Sequence, residues 1–161
     1  MNWLGAGLLV FGFYFCGLAI CEREKERLIA LDSIIDLLSF LNRRVEAERM
    51  PLYLIFCNYK NEYLESVGFL GLIRSCRGGV EGSWESALKL LPVSAEVARE
   101  LGYFGKTLGL LAYADQTERI KACISFLKEE RATLLQTLPP RQKSIKSVSV
   151  LCGSLLAIIL I

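Results

Sequence analysis

The chain has 161 residues, which is enough for one modest domain, and its apolar fraction of 53% is above the usual value for a soluble protein. It carries 19 Lys and Arg, 17 Asp and Glu and no histidine, so its formal net charge at pH 7 is only +2. The mild charge argues against nucleic-acid binding, and the lack of histidine removes the commonest general base and metal ligand.

The charged residues are confined to the middle of the chain. All of them lie between Glu22 and Lys146, whereas residues 1–21 and 147–161 contain none. This distribution predicts a transmembrane helix over residues 3–21, a helical domain over residues 22–146 and a second transmembrane helix over residues 147–161. Basic residues flank the middle part on both sides, which favours its location in the cytoplasm.

The first apolar segment, residues 3–21, is long enough to cross the hydrocarbon core of a bilayer as a helix. Small residues recur in it at intervals of seven and would share one face: Gly5, Gly12 and Ala19. Two alternatives stay open. One is a cleaved signal peptide, although no basic residue precedes the apolar segment. The other is a lipoprotein signal that ends at Cys21, although bulky Ile20 occupies a position where such signals have a small residue.

The last apolar segment, residues 147–161, is shorter and would span roughly 22 Å as a helix. Lys146 can extend the span by laying its aliphatic stem along lipid, and local thinning of the bilayer would also help. A core helix of a soluble protein is the alternative. The ending "LLAIILI" is apolar on every side, however, which favours lipid.

The charged middle part has helical periodicity throughout. The first stripe of apolar residues comprises Leu28, Leu31, Ile34, Ile35, Leu38, Leu41 and Val45. Met50 and Pro51 end this helix, and Pro51 can occupy the first position of the next one. That helix is predicted to continue from Leu52 to Leu70, with a break near residues 58–61 left open.

Turn and capping signals divide the rest of the middle part. "RGGVEG" at 77–82 predicts a turn. Ser83 is predicted to cap a short helix that Pro92 ends, and Ser94 is predicted to cap the next helix. The apolar stripe of that next helix is Val97, Leu101, Phe104, Leu108 and Leu111. We find no strand pattern, so the sequence predicts an all-α bundle.

The final helix is predicted to begin at a capping box formed by Asp115 and Glu118. Its apolar stripe is Ile120, Cys123, Leu127, Leu134 and Leu138. The pair Pro139–Pro140 is predicted to break the helix before the second membrane segment.

One motif is similar to a phosphate-binding loop but fits a structural role better. The Gly-Lys-Thr at 105–107 lacks the first glycine of a P-loop, because position 100 is Glu100, and it lies within a helical rhythm. Its glycines instead predict a close-packing stripe: Gly102, Gly105 and Gly109. Trp84 is predicted to be a core anchor, and the six cysteines, which form no CxxC pair, to be reduced.

Two clusters of charged residues are better interpreted as solvent-exposed helix faces than as metal-binding or partner-binding sites. Asp32 and Asp36 lie one helical turn apart, but no third ligand for a metal ion is close to them in the sequence. The densest basic cluster is Arg43, Arg44 and Arg49, which can contact phospholipid or an acidic partner if it is not a plain solvated face.

Several short stretches resemble one known family. "LGAGLL" opens the first apolar segment, Arg27 and Leu31 follow it, and "IILI" ends the chain. The other motif residues are Pro51, Leu52, Trp84, Phe104, Gly105, Leu108, Gly109 and Asp115. With these residues and this order of segments, the chain resembles the stage III sporulation protein AB family of endospore-forming bacteria over nearly its whole length. It departs from the family pattern at Arg44, Arg119 and Pro139–Pro140.

The resemblance implies an assembly role and no reaction. The family belongs to the channel apparatus between mother cell and forespore, and its soluble domain is similar to the platform domains of type II secretion systems. The implied location is the mother-cell membrane. The implied partners are a cytoplasmic ATPase, stage III sporulation protein AA, and other membrane channel components, with no cofactor, metal or catalytic residue. The eight motif residues are expected to be structural.

Two other functions stay open on the sequence alone. One is a membrane-anchored helical regulator or receptor that binds a small ligand. The other is a soluble enzyme whose core contains the two apolar ends.

Overall fold

The computed structural model describes the backbone of residues 3–48, 52–75, 80–108 and 113–160, and these residues form seven helices and no strand. The helices are α1 (Trp3–Glu48), α2 (Leu52–Asn58), α3 (Glu62–Ser66), α4 (Phe69–Ser75), α5 (Val80–Leu88), α6 (Ala95–Thr107) and α7 (Tyr113–Leu160). The predicted all-helical fold class is therefore confirmed for the described part of the chain.

The chain divides into two compact units. The terminal unit comprises residues 1–26 and 133–161, and the central unit comprises residues 27–132. The terminal unit thus contains the start of α1 and the end of α7, while the central unit contains the remainder of both helices together with α2–α6.

Helices α1 and α7 are joined side by side within the central unit. Asp32 forms an ion pair with Arg131, and Glu46 Oε1 lies 3.3 Å from Lys121 Nζ. These pairings show that the two helices run antiparallel. Most of the predicted stripe of α1 is buried: Leu31, Ile34, Ile35, Leu38, Leu41 and Val45. The stripe of α7 is also buried in this unit, at Ile120, Cys123 and Leu127.

Three short helices occupy residues 52–75: the break left open near residues 58–61 is present, and a second turn follows α3 that the sequence did not predict. The chain leaves helical geometry at 59–61, and Asn61 Oδ1 accepts a hydrogen bond from the Leu64 amide at 3.0 Å to cap α3. Gly68, with φ of 85°, then turns the chain into α4.

Arg74 stabilises the end of α2 from a distant position in the sequence. Its guanidinium donates to the carbonyl of Phe56 at 3.2 Å and to that of Tyr59, and it pairs with Glu65 Oε1 at 3.3 Å. The last carbonyls of a helix have no partner within the helix. One arginine therefore satisfies these orphan acceptors and holds α2, α3 and α4 together.

The start of α5 differs from the prediction, whereas the start of α6 confirms it. Helix α5 begins at Val80, so residues 80–82 of the predicted turn are helical and Ser83 lies buried inside the helix instead of capping it. Ser94 does cap α6, because its side chain accepts a hydrogen bond from the Val97 amide at 3.3 Å.

Two predictions about α7 are wrong. The helix begins at Tyr113, so Asp115 lies within its first turn and is not the cap. The helix also continues through Pro139–Pro140 to Leu160 instead of breaking. The prolines deprive the carbonyls of Leu135 and Gln136 of their helical donors, but both residues are exposed, so water can bond to these carbonyls.

Among the described residues, no helix combines the length and the apolar character needed to cross a membrane. In the two charge-free ends, the described side chains are all exposed within the terminal unit: Gly12, Phe15, Ala19, Ile20, Ser147, Val148 and Leu151. Other predicted features lie outside the described residues, namely the packing of Gly5, the cap role of Pro51, the turn at 77–79, Arg49, Gly109 and Leu111.

Candidate functional site at the α5–α6 junction

Trp84 is the centre of an aromatic cluster in the central unit. Its ring lies 6.1 Å from Phe56, 5.5 Å from Phe69 and 5.9 Å from Phe104, measured between ring centroids. Each contact is tilted or edge-on, which is the favoured geometry for aromatic pairs. Because the four rings belong to α5, α2, α4 and α6, this cluster joins four helices around one side chain. The predicted role of Trp84 as a core anchor is confirmed, since it is 1% exposed.

The indole of Trp84 is positioned by α6. Its Nε1 donates a hydrogen bond of 2.8 Å to the carbonyl of Leu101, so the buried polar end of the ring has a partner. One turn further along α6, a β-carbon on Gly105 would overlap Cδ1 of the indole and lie 2.7 Å from its Nε1. Glycine at this position therefore lets the ring lie against the helix backbone.

The predicted stripe of glycines is confirmed only in part. Gly105 packs closely, whereas a β-carbon on Gly102 would meet no atom within 4 Å. Gly102 instead faces an open groove of about 600 Å³ between α5 and α6. The Gly-Lys-Thr segment is helical, so its backbone amides are used within α6 and do not form a phosphate-binding loop.

The groove is lined by both apolar and basic residues. Leu88 comes from α5, and Ala98 and Gly102 come from α6. Three basic residues line it, Lys89, Arg99 and Lys106, against one acidic residue, Glu85. The lining therefore has a formal net charge of +2, from three positive charges and one negative charge. Tyr103 adds an aromatic ring that is 59% exposed.

A charged network supports the face of α6 that contacts α7. Arg119 Nη2 lies 2.8 Å from Glu100 Oε1, and the Arg119 guanidinium lies 4.8 Å from the centre of the Tyr103 ring. Behind this network, the Cys123 thiol has a pKa raised to about 12. Burial is the main cause, the Glu100 carboxylate adds to it, and Arg119 opposes it. Cys123 is a free thiol, and so is half-buried Cys57.

The structure brings some of the sequence motif residues together and separates others. Trp84, Phe104 and Gly105 form the junction, and Leu108 is buried at the end of α6. Leu52 is half-buried on α2, while Asp115 is exposed on α7. Pro51 and Gly109 lie outside the described residues. The motif thus contains one compact cluster, formed by Trp84, Phe104 and Gly105.

The charged clusters that the sequence singled out do not form a site in the described part of the chain. Asp36 is exposed and Asp32 binds Arg131, so the two carboxylates do not form a pair. The Arg44 guanidinium lies 5.3 Å from the centre of the Phe40 ring, and Arg43 is exposed beside it. Within the described residues no group of three His, Cys, Asp or Glu side chains is placed to hold a metal ion.

The sequence analysis did not identify the basic residues of the groove. Arg99 and Lys106 are seven residues apart and so lie on one face of α6, which is the signal that the sequence contains. Lys89 joins them only because α5 packs against α6. Its position depends on tertiary structure and could not be deduced from spacing.

Comparison with known proteins gives a consistent result. The sequence profile described as "Stage III sporulation protein AB" matches residues 2–161. A solved structure described as "Stage III sporulation protein AB (SpoIIIAB)" is similar with a TM-score of 0.56 and 22% identity, over 70% of this chain and 96% of that one. At this identity the likeness shows a shared helical fold. No curated protein sequence matches. Because the profile covers nearly the whole chain, this protein belongs to the stage III sporulation protein AB family.

Proposed function

We propose that this protein is a non-enzymatic membrane platform of the sporulation channel, held in the mother-cell membrane by its two ends. In this proposal its helical domain faces the cytoplasm and docks an ATPase, stage III sporulation protein AA. Membership of the sporulation family supports the biological setting. The platform role is the finer step, and it rests on the character of the chain ends and of the central unit.

The observation that carries the proposal is the exposure of apolar side chains in the charge-free ends. Phe15, Ile20, Val148 and Leu151 are each more than half exposed. Exposure of large apolar side chains to water costs free energy, and apolar surface that a protein leaves exposed often contacts a membrane or another protein. Lipid around residues 3–21 and 147–161 would remove this cost.

The central unit is suited to docking because it is tied together independently of the ends. Its aromatic cluster, the Arg74 cap and the buried apolar stripes of α1 and α7 fix the positions of its helices. A preorganised surface loses little conformational entropy when a partner binds. A platform requires such a surface on a unit that the membrane segments hold in place.

Fractionation of sporulating cells tests the membrane part of the proposal. We expect the full chain in the membrane pellet, where it should remain after extraction with alkaline carbonate and leave only with detergent. A chain that appears in the supernatant of the broken cells without detergent contradicts the two membrane helices.

Co-purification tests the docking part separately. We expect stage III sporulation protein AA to be retained by the tagged full chain in mild detergent. Trp84→Ala provides the control, because it removes the centre of the aromatic cluster while leaving both chain ends unchanged. The ATPase should be lost from that variant. Absence of the ATPase from both proteins, or equal retention by both, contradicts docking through the folded helical domain.

A further inference from the structure

The basic residues of the α5–α6 groove are not neutralised within the described part of the chain. Lys89, Arg99 and Lys106 contact none of its carboxylates, although all three line the same groove. Four basic residues elsewhere in the central unit do pair with carboxylates: Arg74 with Glu65, Arg119 with Glu100, Lys121 with Glu46 and Arg131 with Asp32. Among the described residues, Arg43, Lys60 and Lys128 are also exposed without such a pair, but unlike the three groove residues they do not line one groove. The groove therefore concentrates positive charge around an apolar floor.

The floor of the groove is the face of α6 that carries small residues. Ala95, Ala98 and Gly102 lie on one face of α6 and line the groove, and small residues allow the backbone of a second helix to come close. From Ala95 to Lys106 this face extends for about 17 Å, or roughly three helical turns. Tyr103, which is 59% exposed, supplies apolar contact for side chains of a helix lying there.

We infer that this groove binds an acidic amphipathic α-helix of a protein partner. Apolar side chains of the helix pack over Ala98 and Gly102, and carboxylates about two turns apart pair with Arg99 and Lys106. Charge complementarity selects an acidic helix over a basic one, because the groove lining has a formal net charge of +2. The inference deepens the proposed platform function and rests on it, since it assigns a surface and a partner chemistry to the docking role.

A synthetic peptide provides the direct test. The probe is a fluorescein-labelled amphipathic helix of about 15 residues built from Leu, Ala and Glu, and its matched control replaces every Glu with Lys. Both peptides are titrated against the full chain in a mild non-ionic detergent, with fluorescence anisotropy as the readout. We expect saturable binding of the Glu peptide that weakens as salt is added, and no saturable binding of the Lys peptide.

Two variants locate the binding site. Arg99→Glu combined with Lys106→Glu should weaken binding of the Glu peptide by about tenfold or more. Lys60→Glu combined with Lys128→Glu makes the same change in net charge at exposed positions outside the groove and should leave binding unchanged. Gly102→Leu fills the floor where the structure has open space, so it should abolish binding without lowering the thermal midpoint.

The outcomes separate this inference from the proposed function. Equal weakening by the two charge variants, better binding of the Lys peptide, or unchanged binding by Gly102→Leu overturns the groove assignment. A second copy of this chain as the occupant also overturns it, and would appear as self-association that Gly102→Leu disrupts. The peptide test contains no ATPase, so its result is independent of the co-purification experiment. If the peptide does not bind but the ATPase still co-purifies, the groove assignment is contradicted and the platform proposal is not.

Discussion

The indole of Trp84 lies so close to Gly105 that a β-carbon at position 105 would be 2.7 Å from Nε1 and 2.8 Å from Cγ of the ring. Real β-carbons do not approach other atoms this closely, so any side chain at this position must move the tryptophan. Moving it also disturbs the hydrogen bond from Nε1 to the Leu101 carbonyl. The pair therefore fixes how α5 sits against α6.

Gly105→Ala and Gly102→Ala should have opposite effects on stability. Gly105→Ala overpacks the junction and should lower the free energy of unfolding by about 1–3 kcal/mol. Gly102→Ala meets no neighbour and removes a glycine from a helix interior, so it should raise that free energy by about 0.5–1 kcal/mol. Denaturant titration of the full chain in detergent, followed by far-UV circular dichroism, measures both.

The double variant Trp84→Phe with Gly105→Ala tests the cause of that destabilisation. A smaller ring leaves room for the alanine methyl group, so the cost of Gly105→Ala should be smaller in the Trp84→Phe background. Strictly additive effects of the two substitutions would show that the glycine matters for some reason other than the ring.

Arg74→Lys should destabilise the central unit although it preserves the charge. Lysine cannot reproduce the planar fork with which Arg74 reaches the carbonyls of Phe56 and Tyr59 and the Glu65 carboxylate together. We expect a loss of about 1–2 kcal/mol in the free energy of unfolding. Arg99→Lys, at an exposed position, is the matched control and should change it by less than about 0.5 kcal/mol. Similar effects of both variants would disprove the capping role.

Cys123 should resist alkylation. Its pKa is raised from 9.0 to about 12, so at pH 8 it is a neutral, buried thiol and should react with N-ethylmaleimide more slowly than half-buried Cys57. Peptide mapping by mass spectrometry after timed labelling distinguishes the two. Equal labelling rates in the folded protein contradict the burial of Cys123.

The sign of the pH effect follows from the raised pKa. Below pH 9 the Cys123 thiol is protonated in both the folded and the unfolded protein, so its contribution to the free energy of unfolding is fully present. Between about pH 9 and 12 the thiol of the unfolded chain loses its proton first, so the free energy of unfolding falls as the pH rises. The slope is at most about 1.4 kcal/mol per pH unit. Subtracting the profile of Cys123→Ala removes the other titrations, including that of Tyr59, whose pKa is raised mainly by burial. If the stability of the unsubstituted protein and that of Cys123→Ala depend on pH in the same way, the raised pKa of Cys123 is contradicted.

Replacing both prolines of α7 should strengthen the helix. Pro139→Ala with Pro140→Ala restores the amide donors for the carbonyls of Leu135 and Gln136 and removes the clash of each ring with the preceding turn. We expect the free energy of local opening around the substituted turn to rise by up to about 3 kcal/mol per proline, which slows hydrogen exchange there. Hydrogen exchange of residues 133–148, read by mass spectrometry, measures it; unchanged protection would contradict the account.

Sequence periodicity predicted the parts of the fold in which one long helix buries one face. Leu31, Leu41 and Val45 of α1 lie in the core as expected, because a stripe at helical spacing fixes which side of a helix is buried. Over residues 52–70 the pattern left the break at 59–61 open but did not predict the second turn, at Gly68. Helices of five to seven residues are marginal by themselves and exist there because Arg74 and the Asn61 cap hold them, and these are contacts that spacing does not reveal.

The candidate site shows the same division. Trp84 was predicted as a core anchor just after the predicted cap Ser83; its burial is confirmed, although Ser83 lies inside the helix. Gly105 was singled out by its spacing to neighbouring glycines. Which glycine is packed and which is open depends on where the indole lies, so Gly102 and Gly105 looked equivalent in sequence. Pro139–Pro140 failed as a helix stop because exposed carbonyls tolerate the loss of their donors.

The most direct measurement of the central claim is a binding titration between purified stage III sporulation protein AA and the full chain in lipid nanodiscs. The account predicts saturable binding to loaded discs, none to empty discs, and loss of binding in discs loaded with Trp84→Ala. A signal from the ATPase that is the same for loaded and empty discs would contradict the claim that this helical domain is its docking platform.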